Sequence, residues 1–132
     1  NQSPFDFYGD GSIERDFTYI SDVVEMNCKL LEELKHRDDG FSDVVNIGGG
    51  RPRSINQILE IIKGVSGADV PFNRMAANKS DVSRTSADYG YLQSLIGKHP
   101  SISAETGLQK FFEWASRDDI KVFLKEWAQS TK

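Results

Sequence analysis

Residues 9–20 read GDGSIERDFTYI, and this short stretch orders the reading of the whole chain. Gly9, Asp10 and Gly11 spell a turn. Arg15 stands directly before Asp16-Phe17-Thr18-Tyr19-Ile20, a strand-like run. A helical pattern begins immediately afterwards. A polar turn, a guanidinium fork and an aromatic ring at the mouth of a strand suit a small anionic ligand.

Upstream, residues 5–8 (FDFY) predict a short strand, with Asp6 interrupting the apolar run. A hairpin between 5–8 and 17–20 is one way to pair them. Downstream, Ser21 or Asp22 is the expected helix cap. Val23, Asn27, Leu30, Leu31 and Leu34 then share one helical face. Cys28 falls in this helix and reads as a small buried apolar residue. As the only cysteine it cannot form an intrachain disulfide.

VVNI at 44–47 is strongly β-prone, the kind of run that a parallel sheet buries on both faces. Gly48-Gly49-Gly50 follows. These glycines either let the backbone approach a ligand or simply turn the chain. Ser54 and Gln57 form a capping box, and Ile55, Ile58, Leu59 and Ile62 form the stripe of its helix. Residues 44–63 thus predict strand, glycine loop and helix. A strand is expected within 70–75, then a polar loop over 76–84. Thr85 and Asp88 offer a second capping box for a helix over 86–96, which would bury Ala87, Tyr91, Leu92 and Leu95 and stop at Gly97. Ser103 caps a helix burying Leu108, Phe111, Phe112 and Ala115. A last helix over 119–129 carries Ile120, Phe123, Leu124 and Trp127 on one side. The fold class is α/β, with short strands and about five helices.

Composition narrows the function. With 132 residues, one domain is expected. A net charge of −4, an isoelectric point near 5.1 and a mean hydropathy of −0.48 argue against a general nucleic-acid binder. A small phosphorylated ligand needs only a local basic cluster. There is no transmembrane run and no secretory apolar region, so no membrane partner and a cytoplasmic setting are expected. The chain opens at Asn1 and reaches FDFY within five residues. That is the look of an excised piece, although a processed or renumbered chain would look the same.

Few residues carry chemistry. No Cys/His cluster is present, so no metal site is expected. His36 and His99 read as surface histidines. No Gly-x-Gly-x-x-Gly follows a first strand, and no phosphate-loop Gly-Lys-Ser/Thr occurs. Arg15 is the strongest candidate, because its planar fork matches a diphosphate. A salt bridge to Glu14, Asp16 or Asp22 is the alternative. Arg51, Arg53 and Arg84 are candidates to supplement it or are ordinary surface charge. Asp81 is either an acceptor for a sugar diol or a turn residue. Phe17 either walls a pocket or fills the core.

Four segments occur in order: GDGSIERDFTYISDVV, VVNIGGGRPRSINQILEII, SDVSRTSAD and ISAETGLQKFFEWA. Together they resemble the C-terminal part of the extended short-chain dehydrogenases/reductases, within the NAD-dependent epimerase/dehydratase family. The likeness runs over residues 4–114 and is greatest to UDP-glucuronate 4-epimerase-like members. It implies that residues 1–132 are a nucleotide-sugar-binding C-terminal domain lacking most of the Rossmann domain. The family's glycine fingerprint and Tyr-x-x-x-Lys pair belong to that other half, and no tyrosine here has a lysine four residues later. No catalytic or cofactor-binding residue is therefore expected here, with NAD held by the other half. The chain alone is expected to be inactive.

Residue by residue, the resemblance gives Arg15 the nucleotide diphosphate, Phe17 the neighbouring aromatic position, Arg51 a place by the base and Asp81 the ribose. Asn78 stands where some 4-epimerases have a second phosphate-binding arginine. The charge absent there leaves Arg84, or another side chain, to compensate. Thr85 falls where galactose-type epimerases have a tyrosine. The activity implied for the intact enzyme is interconversion of UDP-sugars at C4 through a keto sugar. The alternatives are a nucleotide-sugar 4,6-dehydratase and a non-catalytic nucleotide-binding or structural domain. The VVNIG strand would join the Rossmann sheet. Full-length members often dimerise through Rossmann-domain helices, so a homodimer is open to the native protein.

Overall fold

A computed structural model describes residues 4–130. The order is β1 (Phe5–Tyr8), β2 (Glu14–Arg15), α1 (Ile20–Leu34), β3 (Arg53–Ser54), α2 (Ile55–Ser66), β4 (Phe72–Met75), α3 (Gly90–Ile96), α4 (Ala104–Ala115) and α5 (Asp118–Ser130). The class is α/β, as expected. Among the described residues there are five helices and two small open sheets, consistent with part of a Rossmann-type core.

The pairing differs from the expected hairpin. β1 lies parallel to β4, with Phe5 opposite Phe72 and Tyr8 opposite Met75. Phe7 and Phe72 stack with centroids 4.8 Å apart, and the Arg74 guanidinium covers both rings while donating to the Gly9 carbonyl at 2.6 Å. This aromatic packing with a cation over its face outweighs a local hairpin. The strand expected over 17–20 does not form. Instead β2 pairs antiparallel with β3, Glu14 opposite Ser54 and Arg15 opposite Arg53. Asp16 leaves the ladder because its carboxylate accepts from the amides of Gly50 and Ala87, both at 2.9 Å.

The first helix is also rotated from its expected face. Its cap is Tyr19, with no side-chain capping bond, rather than Ser21 or Asp22. Asp22 is instead buried, 4% exposed, and accepts from the backbone N–H groups of Ser101 and Ile102, both at 2.8 Å. Drawing this carboxylate inward buries Met26, one turn on, and leaves Leu31 and Leu34 exposed. Cys28 lies on the far side and is exposed, contrary to expectation.

α2 follows its sequence signals. Ser54 and Gln57 close the capping box in both directions, and Gly67 ends the helix at φ +66°. α3 is shorter than expected. The Ala87 amide is taken by Asp16 and the Asp88 carboxylate by the Gly90 amide, so the helix starts at Gly90. Leu92 is fully buried, whereas Tyr91 is exposed. Phe111, Phe112, Phe123 and Trp127 are exposed as well.

Residues 44–47 form no strand, and Val44 is 87% exposed. The expected two-sided burial is not found in this chain alone. A globular monomer of 14.8 kDa exposes about 7,000 Å², whereas this chain exposes 9546 Å². The difference is the scale of a large protein interface.

Gly11 is the tightest point of the 9–12 turn. It holds φ at +80°, and an added Cβ would stand 2.1 Å from Asn56 Oδ1 and 2.7 Å from Phe7 Cζ. Gly40 has φ +85° with nothing within 4 Å. Gly11→Ala therefore combines left-handed strain with overpacking, together about 2–5 kcal/mol. Gly40→Ala carries only the strain, about 1–2 kcal/mol. Urea unfolding midpoints of the two variants should separate in that order.

Candidate functional site

The site is built on the β2–β3 ribbon. Directly opposed residues of an antiparallel pair share a face, and side chains alternate along each strand. Arg15 and Arg53 therefore stand on one face, and Glu14 and Ser54 on the other. Phe17 and Arg51 lie just outside this two-residue ladder, each two positions from one of the opposed arginines. A narrow cleft brings Phe17, Arg51 and Arg53 together, lined also by Gly49, Ile102 and Ser103. Arg51 donates across it to the Pro100 carbonyl at 3.5 Å.

The polar loop reaches the same ribbon. Arg15 Nη2 pairs with Asp81 Oδ1, and Arg15 Nη1 donates to the Glu14 carbonyl at 2.8 Å. None of the three local carboxylates open to Arg15 in sequence takes it; the partner lies 66 residues away. Asp81 is presented by a turn that Asn78 closes. The Asn78 carbonyl accepts from the Asp81 amide at 3.1 Å, and its side-chain oxygen accepts from the Ser80 amide at 3.0 Å. Asn78 thus shapes the loop.

Arg84 forms its ion pair with Glu14, Nε to Oε2 at 3.3 Å. The segment around it runs along the ribbon edge, with Glu14 donating its amide to the Ser83 carbonyl at 2.9 Å and accepting from the Thr85 amide at 3.1 Å. By alternation, Glu14 points away from the Arg15 face. Arg84 therefore secures the loop from the opposite side.

The glycine loop is filled by the chain itself. A Cβ on Gly48 would stand 2.4 Å from the Ala87 Cβ, and one on Gly50 would stand 2.8 Å from the Tyr89 ring. Asp16 Oδ1 is buried without a hydrogen-bond partner next to Gly49. These glycines serve close packing of 85–89 against 48–50, and they leave no cradle for a dinucleotide. His99 stacks on Tyr89 with centroids 4.5 Å apart, and among the described residues no cluster of three or more His, Cys, Asp or Glu could hold a metal ion. No described helix is long and apolar enough to cross a membrane.

Sequence reasoning undervalued two residues. Asp16 joins the glycine loop and the 85–89 segment to the mouth of β2, and was seen only as a partner for Arg15. Arg53 was seen only as one of several supplementary charges. Its alternation with Arg51 was the available signal, but it needed the β2–β3 register to become informative.

Comparison with known proteins gives a match at the level of the family. Residues 1–48 match the NAD dependent epimerase/dehydratase family. A probable UDP-glucuronate 4-epimerase of Rhizobium meliloti (strain 1021) is 35% identical over 128 residues, covering 86% of this chain and 38% of that protein. A UDP-glucuronate 4-epimerase of Thermodesulfobacterium geofontis is 34% identical, covering 92% of this chain and 36% of its own length. The crystal structure of UDP-glucuronic acid 4-epimerase from Bacillus cereus, in complex with UDP-glucuronic acid and NAD, superposes with a TM-score of 0.71 at 30% identity over 82% of this chain and 33% of that one. The chain spans little more than a third of the curated relatives it matches.

Proposed function

We propose that residues 1–132 form the nucleotide-sugar-binding C-terminal portion of an NAD-dependent sugar-nucleotide epimerase that interconverts UDP-sugars at C4 through a keto sugar. The observation that carries this reading is the shared face of the β2–β3 ribbon. On it Arg15, paired with Asp81, is directly opposed to Arg53, and Arg53 lines one cleft with Phe17 and Arg51. The relatives' names support the substrate class.

In this reading Arg15 exchanges its carboxylate partner for the diphosphate, where a planar fork makes two parallel charge-assisted bonds. Asp81, released by that exchange, accepts from the ribose hydroxyls. Phe17 offers an apolar wall, and Arg51 lies by the base. Asn78 and Arg84 hold the loop that carries Asp81. The work of this portion is grip and orientation. Binding energy gathered on the nucleotide holds the substrate in place while the sugar itself stays free to turn. Proton and hydride transfer belong to the other portion, where NAD is proposed to bind. A cytoplasmic setting and a homodimer formed through the other portion complete the proposal.

Calorimetry on the 132-residue chain tests it. UDP is expected to bind at least about tenfold more tightly than uridine, since each charged hydrogen bond to the diphosphate contributes roughly 1.5–3 kcal/mol. The same chain, given NAD and UDP-glucuronic acid, is expected to release no epimerised sugar. Measurable turnover by the pure chain would contradict the division of labour proposed here.

A further inference from the structure

The nucleotide reading leaves one chemical requirement unmet. A diphosphate carries more charge than one guanidinium neutralises, and Asn78 brings none. We propose that Arg53 supplies the second phosphate-binding cation, from the strand opposite Arg15 rather than from the polar loop. This rests on the nucleotide-sugar reading and assigns a binding residue within it.

Register, engagement and exchange each favour Arg53. Arg15 and Arg53 are directly opposed across the ladder and share a face. Two like charges so placed repel each other unless an anion joins them. The other cations near the ribbon are engaged elsewhere. Arg84 pairs with Glu14 behind the ribbon, and Arg74 lies over Phe7 and Phe72 with a 2.6 Å bond to the Gly9 carbonyl. Arg53 lines the cleft with Phe17 and Arg51, and its side chain is partly open to solvent.

Its present partner is also easy to exchange. Arg53 Nη2 lies 3.7 Å from Glu105 Oε1, an ion pair too long for a good hydrogen bond. Glu105 has support of its own. Its backbone N–H and the Ser103 side chain hold its carboxyl below the usual range, with Arg53 adding a lesser attraction. It also sits in the first turn of α4, where a negative charge is favoured. Glu105 therefore remains a stable anion when Arg53 turns to phosphate. Two arginines opposed across the ribbon grip UDP while leaving the sugar beyond the second phosphate uncommitted.

The test measures UDP and uridine affinities by calorimetry for the unmodified chain and for Arg53→Gln, Glu105→Gln, Arg15→Gln and Arg117→Gln. Arg53→Gln is expected to weaken UDP roughly ten- to hundredfold and leave uridine unchanged. Glu105→Gln frees Arg53 and is expected to tighten UDP by up to about fivefold. Arg117, exposed in the turn between α4 and α5 and paired with Asp119, controls for lost charge and should change neither. Unchanged UDP affinity in Arg53→Gln, with a large loss in Arg15→Gln, overturns the assignment of Arg53 while the nucleotide reading stands. An unmodified chain that binds UDP no better than uridine overturns both.

Discussion

Arg15→Gln should weaken UDP about a hundredfold while leaving the melting temperature nearly unchanged. The two readouts separate because the side chain does little for the fold. Its ion pair with Asp81 is partly open to solvent, with the two side chains 24% and 42% exposed. Such pairs contribute about 0–1 kcal/mol. The expected loss of affinity corresponds to two charge-assisted bonds at about 1.5 kcal/mol each. Glutamine retains one polar end but neither the charge nor the fork. Uridine affinity, measured beside UDP, should not move. A fall in melting temperature matching the fall in affinity would mean that Arg15 serves the fold instead.

Asp22→Ala should act in the opposite sense, lowering stability by roughly 2–4 kcal/mol. The carboxylate is almost wholly buried, and one oxygen accepts from two amides, those of Ser101 and Ile102. It ties α1 to the loop that carries the fully buried Pro100 into α4. Alanine leaves both N–H groups without an acceptor and opens a void beside Met26. Asn keeps an oxygen in place of the one that does the accepting, so Asp22→Asn should cost clearly less. Chemical denaturation of the two variants, read as a shift in midpoint at constant slope, gives the comparison. Equal losses would mean that charge, rather than the acceptor, is what the site requires.

Signals confined to a few residues were legible in the sequence. The Ser54–Gln57 box, the Gly97 stop and the Ser103 cap all form where their local chemistry places them. β1 also forms over the residues expected of it. What escaped depends on distant partners. The parallel β1–β4 ladder joins residues 67 apart, and local periodicity carries no record of it. The strand expected over 17–20 is lost because the Asp16 carboxylate captures two remote amides, a tertiary bond that no propensity predicts. Thr85 and Asp88 looked like a cap, yet Ala87 is committed to Asp16 and the helix begins later.

The site was divided in the same way. Arg15 was legible from its neighbours in the 9–20 stretch, but its counter-ion came from another loop. The apolar residues of α4 and α5 have helical spacing, and spacing cannot tell whether a stripe is covered within the chain. Phe111, Phe123 and Trp127 are half exposed or more here, and Val44 stands almost fully in solvent. Those positions are where a larger assembly would gain most from burial.

The central claim is that the ribbon around Arg15, with Asp81 paired to it and the adjoining cleft of Phe17 and Arg51, receives a nucleotide diphosphate. Chemical-shift mapping of the isotope-labelled chain against UDP, with ADP as comparison, tests it directly. The account predicts saturable shifts grouped at Arg15, Phe17, Arg51, Arg53 and Asp81, larger for UDP than for ADP. No saturable shift at those residues, or the same pattern and strength with both nucleotides, would contradict it.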